Sequence, residues 1–345
     1  MKTKAAILVE QKRPLVIDEV EIPALGYGQV LVQLKVSRIC GSQIGEIDGV
    51  KGPDKFLPHL LGHEGGGIVV ETGAEVSRVR AGDHVVLHWR EARGIQSRPP
   101  KYDWKGRTAH AGYITTFNDY AVVSENRLTP IPREVDFETA ALLADTLTTG
   151  FGLINNDAHL KLGESVVVIG CGGIGLGVLL GAKLAGACPL IAVDLFPHKL
   201  DLALSLGATH AINSKEVDFV EAARDILGGN LADVVIDGTG NPAVLEKAFG
   251  LAGPQGRCVG FGVMASDRKL TLNTLPLHLG KVLTGSHGGS SRPDEDIPRY
   301  LRMIKHNIFQ VKNFVSHRLP LEEVNGAVEK MRSGEVVHAM IHFPS

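Results

Sequence analysis

The stretch VVVIGCGGIGLG, Val166 to Gly177, decides the fold: an unbroken apolar β-type run passes into GxGxxG (Gly170, Cys171, Gly172, Gly173, Ile174, Gly175), and a helical pattern follows. Gly170 permits a tight turn, Gly172 lets the backbone approach a pyrophosphate, and Gly175 allows helix and strand to pack closely. A helix beginning at Gly173 offers N–H donors and a partial positive charge to phosphates. Asp194 ends the next apolar run, IAVD, 19 residues after Gly175. A carboxylate there accepts hydrogen bonds from a ribose 2′-OH and repels a 2′-phosphate, so the predicted cofactor is NAD rather than NADP. The alternative is a structural glycine turn in another α/β fold, and Cys171 reads as a small filler.

Outward from this motif, apolar strands alternate with helices. ADVVID (232–237) and RCVGFG (257–262) join the two strands above, with helices expected over 173–185, 197–206, 217–227 and 242–251. Fully apolar strands separated by helices imply a parallel sheet covered on both faces. The run 174–193 carries Lys183 as its charged residue, but Gly181, Gly186 and Pro189 break it, so it reads as a buried helix and strand rather than a membrane span. Before residue 147 the pattern is short strands and turns: 5–9, 29–36, 67–72 and 84–88 predict an antiparallel or barrel-like domain. After Gly285 one further helix and a strand ending in VVHAMIHF are expected.

A chain of 345 residues exceeds what one core usually supports, so two domains are expected. Lys and Arg total 36 against 38 Asp and Glu, which gives no electrostatic footprint for nucleic acid. Ordinary globular composition argues against a membrane protein, and the run 5–9 is too short for a signal-peptide core, so a cytoplasmic protein is expected. Four cysteines without a CxxC pair exclude a disulfide framework and a four-cysteine zinc site.

Several residues in the first half carry donor chemistry. Cys40 lies in ICGS, His63 and Glu64 in GHEGGG, and Asp145 in ADTLTTGFG. Spacing alone does not group them. Gly62, His63, Glu64, Gly67, Gly73 and Val76, followed at the expected distance by GxGxxG, resemble the zinc-dependent medium-chain alcohol and polyol dehydrogenases over almost the whole chain. The resemblance implies an α/β architecture: a GroES-like β-rich catalytic domain over 1–147, a Rossmann doubly wound coenzyme domain over 148–287, and a return to the catalytic domain over 288–345.

It further implies one catalytic zinc with Cys40, His63 and Asp145 as ligands, and Glu64 as a carboxylate that approaches or transiently binds the metal. A thiolate, an imidazole and a carboxylate leave a coordination position open for substrate, as catalytic zinc sites do. Asp145 stands where many relatives have cysteine; a helix N-cap is its other reading. Ser42 matches the first hydroxyl of a proton relay, or is a turn serine, and Gly45 stands where a relay histidine is common. Near the cofactor the resemblance places Lys199 at the ribose, Thr149 beside the nicotinamide, Thr239, Phe261 and Gly262 at strand ends, and His287 among the cofactor-binding residues. His338 stands where relatives place an arginine near the pyrophosphate, or is a surface histidine.

The region 88–112 holds no cysteine, where many relatives carry a structural zinc, so no second zinc is expected. It contains Trp89, Tyr102 and Trp104, and its six basic side chains face two acidic ones. The resemblance places Trp89 in the substrate cleft. An anionic or ring-shaped alcohol would suit this segment, with Arg pairing to phosphate and an aromatic side chain stacking; a solvated loop or subunit contact is the alternative. The expected activity is interconversion of a secondary or polyol/sugar-type alcohol and its ketone by hydride transfer with NAD, in a homodimer or homotetramer. A zinc-free quinone or enoyl reductase and a non-catalytic NAD-binding protein are the competing readings.

Overall fold

A computed structural model describes residues 1–311 and 314–344. The chain forms two compact units, one of Met1–Asp145 with the segment from Arg292 onward, the other of Thr146–Ser291.

The second unit is a six-stranded parallel sheet in the order His210–Asn213, Leu190–Asp194, Val166–Ile169, Ala232–Asp237, Ala252–Gly260, Val282–Gly285. In chain order this is 3-2-1-4-5-6, the doubly wound arrangement, whose strand order reverses between Val166–Ile169 and Ala232–Asp237. The central strands are wholly buried, which explains their uninterrupted Val and Ile. Helices Gly173–Leu184, Pro197–Ser205, Phe219–Ile226 and Pro242–Leu251 form where the apolar periodicity places them. Asp218 and Asn241 cap the last two through their side-chain oxygens. Gly170 has φ +94°, and a Cβ on Gly175 would lie 1.9 Å from the Gly170 carbonyl oxygen, so the turn and the helix contact both require glycine.

The first unit combines a closed barrel, ordered Lys2–Leu8, Val16–Glu21, Lys101–Trp104, Arg107–His110, His59–Leu60, with a second sheet. In that sheet Gln29–Arg38 pairs antiparallel with Glu64–Thr72, Tyr120–Ser124 and Ala339–His342. Gly65, Gly66 and Gly67 lie within the strand Glu64–Thr72 rather than in a turn. A Cβ on Gly66 would sit 2.8 Å from Ala140 Cβ, so its absence lets the helix Phe137–Ala144 close onto the strand.

Three expectations need correction. Among the described residues after Gly285 there are two α-helices, Pro293–Lys305 and Val324–Arg332, rather than one. The aromatic residues of 88–112 do not form a surface cluster. Tyr102 and Trp104 alternate inward from the strand Lys101–Trp104 into the barrel core, where the Tyr102 hydroxyl accepts from the Val122 N–H and Trp104 Nε1 donates to Asp18. Two of the six basic side chains are paired with carboxylates from elsewhere in the chain, Lys105 with Asp18 and Arg93 with Asp294. His338 is fully buried, so it is not a surface residue. Among the described residues no helix is long and apolar enough to cross a membrane, and the four cysteines form no disulfide.

Candidate metal centre and cofactor cradle

The donor residues come from three places in the first unit. Cys40 caps the helix Gly41–Asp48 at the end of the long strand; His63 and Glu64 open the strand Glu64–Thr72; Asp145 ends the helix Phe137–Ala144. One donor atom from each of Cys40, His63, Glu64 and Asp145 lies within 4.8 Å of every other. Asp145 Oδ2 is 3.7 Å from Cys40 Sγ and 3.5 Å from His63 Nε2. Tetrahedral zinc with ordinary Zn–S, Zn–N and Zn–O bonds would separate such pairs by about 3.3 to 3.5 Å, so the spacing suits the ion. His63 Nε2 is buried with no hydrogen-bond partner among the described residues, the condition of an imidazole nitrogen aimed at a cation. Burial opposes protonation of His63, yet the Asp145 and Cys40 side chains outweigh it and raise its pKa well above the usual value. The pocket favours positive charge.

A second set of residues holds these donors and was not singled out from the sequence. Gln43 is 1% exposed; its Oε1 accepts the Cys40 N–H, and its amide nitrogen meets His63 Nδ1. One side chain thus ties the Cys40 backbone to the His63 ring. Arg38, two residues before Cys40 and 1% exposed, donates from Nη1 to Glu64 Oε1 at 2.6 Å and from Nε to His338 Nδ1 at 2.7 Å. Burial lifts the Glu64 carboxyl to about 7, with Arg38 pulling against it. Its Oε2 has no hydrogen-bond partner among the described residues. Burial, and then the Arg38 charge, keep His338 well below its ordinary pKa, so the ring is neutral and accepts at Nδ1. The sequence signal for Arg38 was a basic residue closing a mostly buried strand, two positions before Cys40.

Ser42 lies one residue inside the helix, and its hydroxyl is buried without a hydrogen-bond partner among the described residues. Gly45 follows one turn later and places no side chain there. Trp89 Nε1 donates to Asp145 Oδ1 at 2.9 Å, its ring centroid lies 6.5 Å from that of His63, and the Arg90 guanidinium stands 5.6 Å from the Trp89 ring centre.

In the second unit the glycine loop meets the requirements of a phosphate cradle. Gly172 caps the twelve-residue helix Gly173–Leu184, and a Cβ there would meet nothing within 4 Å, which leaves open space over the helix N-terminus. Cys171 is buried and Val193 O accepts from its Sγ, in keeping with a filler. Asp194 lies at its strand end, but both carboxylate oxygens already accept backbone N–H groups, Oδ2 from Cys171 and Oδ1 from Leu195 and Phe196. Its first task is therefore to tie the loop to the neighbouring strand. Lys199 and Lys215 flank the Phe196 ring at 4.7 and 4.3 Å. Thr239 donates to Asp237 at the end of its strand, and Phe261 and Gly262 follow the end of the next. Thr149 is buried in the helix Thr146–Gly152, and His287 is exposed before the turn Gly288–Ser290.

Residues 26–133 match the alcohol dehydrogenase GroES-like domain, and residues 173–306 match the zinc-binding dehydrogenase family. Alcohol dehydrogenase class-3 of Cereibacter sphaeroides is 31% identical, over 99% of this chain and 100% of that protein. S-(hydroxymethyl)glutathione dehydrogenase of Synechocystis sp. is also 31% identical, over 99% and 100%. The crystal structure of an alcohol dehydrogenase zinc-binding domain protein from Burkholderia ambifaria superposes with a TM-score of 0.90 at 30% identity, with full coverage of both chains. The chain belongs to the zinc-dependent medium-chain dehydrogenase family, as an NAD-dependent oxidoreductase of the alcohol dehydrogenase class. Membership implies zinc and NAD as its cofactors.

Proposed function

We propose that this enzyme oxidises a secondary or polyol/sugar-type alcohol to its ketone, or reduces the ketone, at one zinc held by Cys40, His63 and Asp145, with no structural zinc. The observation that carries the reading is the four-donor cluster, in which the buried His63 Nε2 lies 3.5 Å from Asp145 Oδ2 and a buried Ser42 hydroxyl follows Cys40 in the same helix turn, neither with a hydrogen bond among the described residues. When bound, zinc supplies a Lewis acid that acidifies an alcohol, and NAD supplies the hydride acceptor. Arg38 engages one oxygen of Glu64, which leaves the other as a reserve donor. Ser42 takes the substrate proton, and with Gly45 in place of an imidazole, water carries it onward. Gly170, Gly172, Gly173, Ile174 and Gly175 cradle the pyrophosphate, and Asp194 with Lys199 meets the ribose.

For the substrate we narrow the anionic or ring-bearing class to what Trp89 and Arg90 can recognise, since Tyr102 and Trp104 are committed to the barrel core. The name of the Synechocystis relative gives it a glutathione adduct, a substrate bearing carboxylates. Zinc content and NAD reduction over a panel of simple alcohols, polyols, sugar phosphates and S-(hydroxymethyl)glutathione test the proposal. The expected result is about one zinc per chain and faster turnover of anionic than neutral alcohols; equal rates would remove the anionic part. A zinc-free protein would favour a quinone or enoyl reductase, and zinc without turnover of any alcohol a non-catalytic role. In the same panel Ser42→Ala should lower kcat about a hundredfold, the scale of one positioned proton acceptor; unchanged kinetics would assign the proton to water alone.

A homodimer or homotetramer in the cytoplasm completes the proposal. Val282 is exposed on the edge strand Val282–Gly285, and Leu275 and Leu279 are exposed in the helix Leu275–His278 and at its C-cap, just before that strand, which suits subunit pairing. Light scattering that returned a monomer would remove this part.

A further inference from the structure

A carboxylate can offer a metal either oxygen or both, and what its second oxygen does decides which. Asp145 divides its two oxygens: Oδ2 faces Cys40 Sγ and His63 Nε2, while Oδ1 accepts the indole N–H of Trp89. The indole is itself held. Arg127, 4% exposed, donates from Nη1 to the Trp89 carbonyl at 2.6 Å. His88, fully buried, donates from Nδ1 to the Arg90 carbonyl at 2.8 Å while Nε2 accepts from the Thr129 hydroxyl. Burial lowers the His88 pKa to about 4, so this neutral pattern persists across the working pH range. The backbone on both sides of the tryptophan is thereby pinned, which fixes where its side chain projects, and the indole N–H bond to Asp145 Oδ1 sets the direction of the ring.

On the reading that Cys40, His63 and Asp145 hold a metal, we infer that Trp89 is a positioning residue of that centre, fixing Asp145 as a one-oxygen donor through the indole N–H. This role differs from that of a side chain that merely lines a substrate cleft. With Oδ1 engaged by the N–H, Oδ2 would be the oxygen that Asp145 offers to a bound ion, which would favour one-oxygen donation. Trp89 acts through Asp145, and its ring also stands against His63 and Arg90.

The test replaces Trp89 by phenylalanine, which keeps an aromatic ring and removes the N–H. Zinc affinity is read by chelator competition, and the visible spectrum of the cobalt(II)-substituted protein reports coordination. NAD binding to the glycine loop of the other unit reports that the variant is folded. The wild-type protein should bind one ion; if it binds none, the metal reading itself fails. Given wild-type binding, W89F should lose about 10- to 100-fold in zinc affinity, the usual cost of removing an outer-shell partner, with a shifted cobalt spectrum. W89F that keeps wild-type affinity and spectrum while only KM for the alcohol rises overturns the inference and leaves Trp89 as cleft lining. A second measurement needs no variant: the Trp89 indole N–H should exchange slowly with solvent in the zinc-loaded protein. Exchange at the rate of a free indole overturns the inference as well.

Discussion

Asp145→Ala should purify with well under one zinc per chain and lose at least about a thousandfold in kcat/KM, equivalent to about 4 kcal/mol of transition-state stabilisation. The reasoning starts from donor count. Zinc in a catalytic site is held by three protein ligands, and Asp145 Oδ2 is the atom that closes the triangle with Cys40 Sγ and His63 Nε2. Alanine leaves a thiol and an imidazole, with Glu64 as the nearest reserve carboxylate, but Oε1 of that residue is committed to Arg38. Asp145→Cys should behave differently, because it restores three donors even though the Trp89 N–H loses its carboxylate acceptor. Metal analysis on both variants, before any assay, separates ligand loss from misfolding. Full occupancy and ordinary turnover in Asp145→Ala would defeat the ligand assignment.

The parallel sheet was legible because its information is local. Four apolar residues running into Gly170 determine a strand, a turn and a helix within a dozen positions; Gly170 is required by its positive φ and Gly175 by its contact with the Gly170 carbonyl, both within the motif itself. The barrel hairpin was misread for the opposite reason. Trp104 and Tyr102 look like a sticky basic-aromatic lobe in sequence, and the period-2 alternation that turns both inward spans only four residues. His338 shows a third limit. Its partner Arg38 lies 300 residues away in sequence, and the pairing exists because Ala339–His342 aligns antiparallel with the end of Gln29–Arg38. An imidazole kept neutral by burial, and further by a buried guanidinium beside it, cannot be inferred from either residue alone. The donor set occupied a middle ground: its residue types were visible, but only the resemblance grouped them, and Gln43, which serves two of them, carried no motif of its own.

Arg38→Met should destabilise the folded protein by about 3 to 5 kcal/mol in urea unfolding, the usual consequence of deleting one member of a buried ion pair. Arg38 and Glu64 have side chains 2% and 0% exposed, so no water reaches the carboxylate that would be left behind. The loss is not confined to that charge, because Arg38 Nε also satisfies His338 Nδ1, whose ring packs edge-on to Phe314 at 5.4 Å. Lysine at this position should recover little, since a single ammonium cannot reproduce the fork that reaches a carboxylate and an imidazole in different directions. The double variant Arg38→Met with Glu64→Gln should be less destabilised than the sum of the two single variants, because removing both charges removes the uncompensated one. That non-additivity separates an electrostatic pair from a packing defect, in which the two losses would simply add. A cost below about 1 kcal/mol for Arg38→Met would place the pair in the range of exposed ion pairs and sever the link between the C-terminal strand and the carboxylate beside the metal ligands.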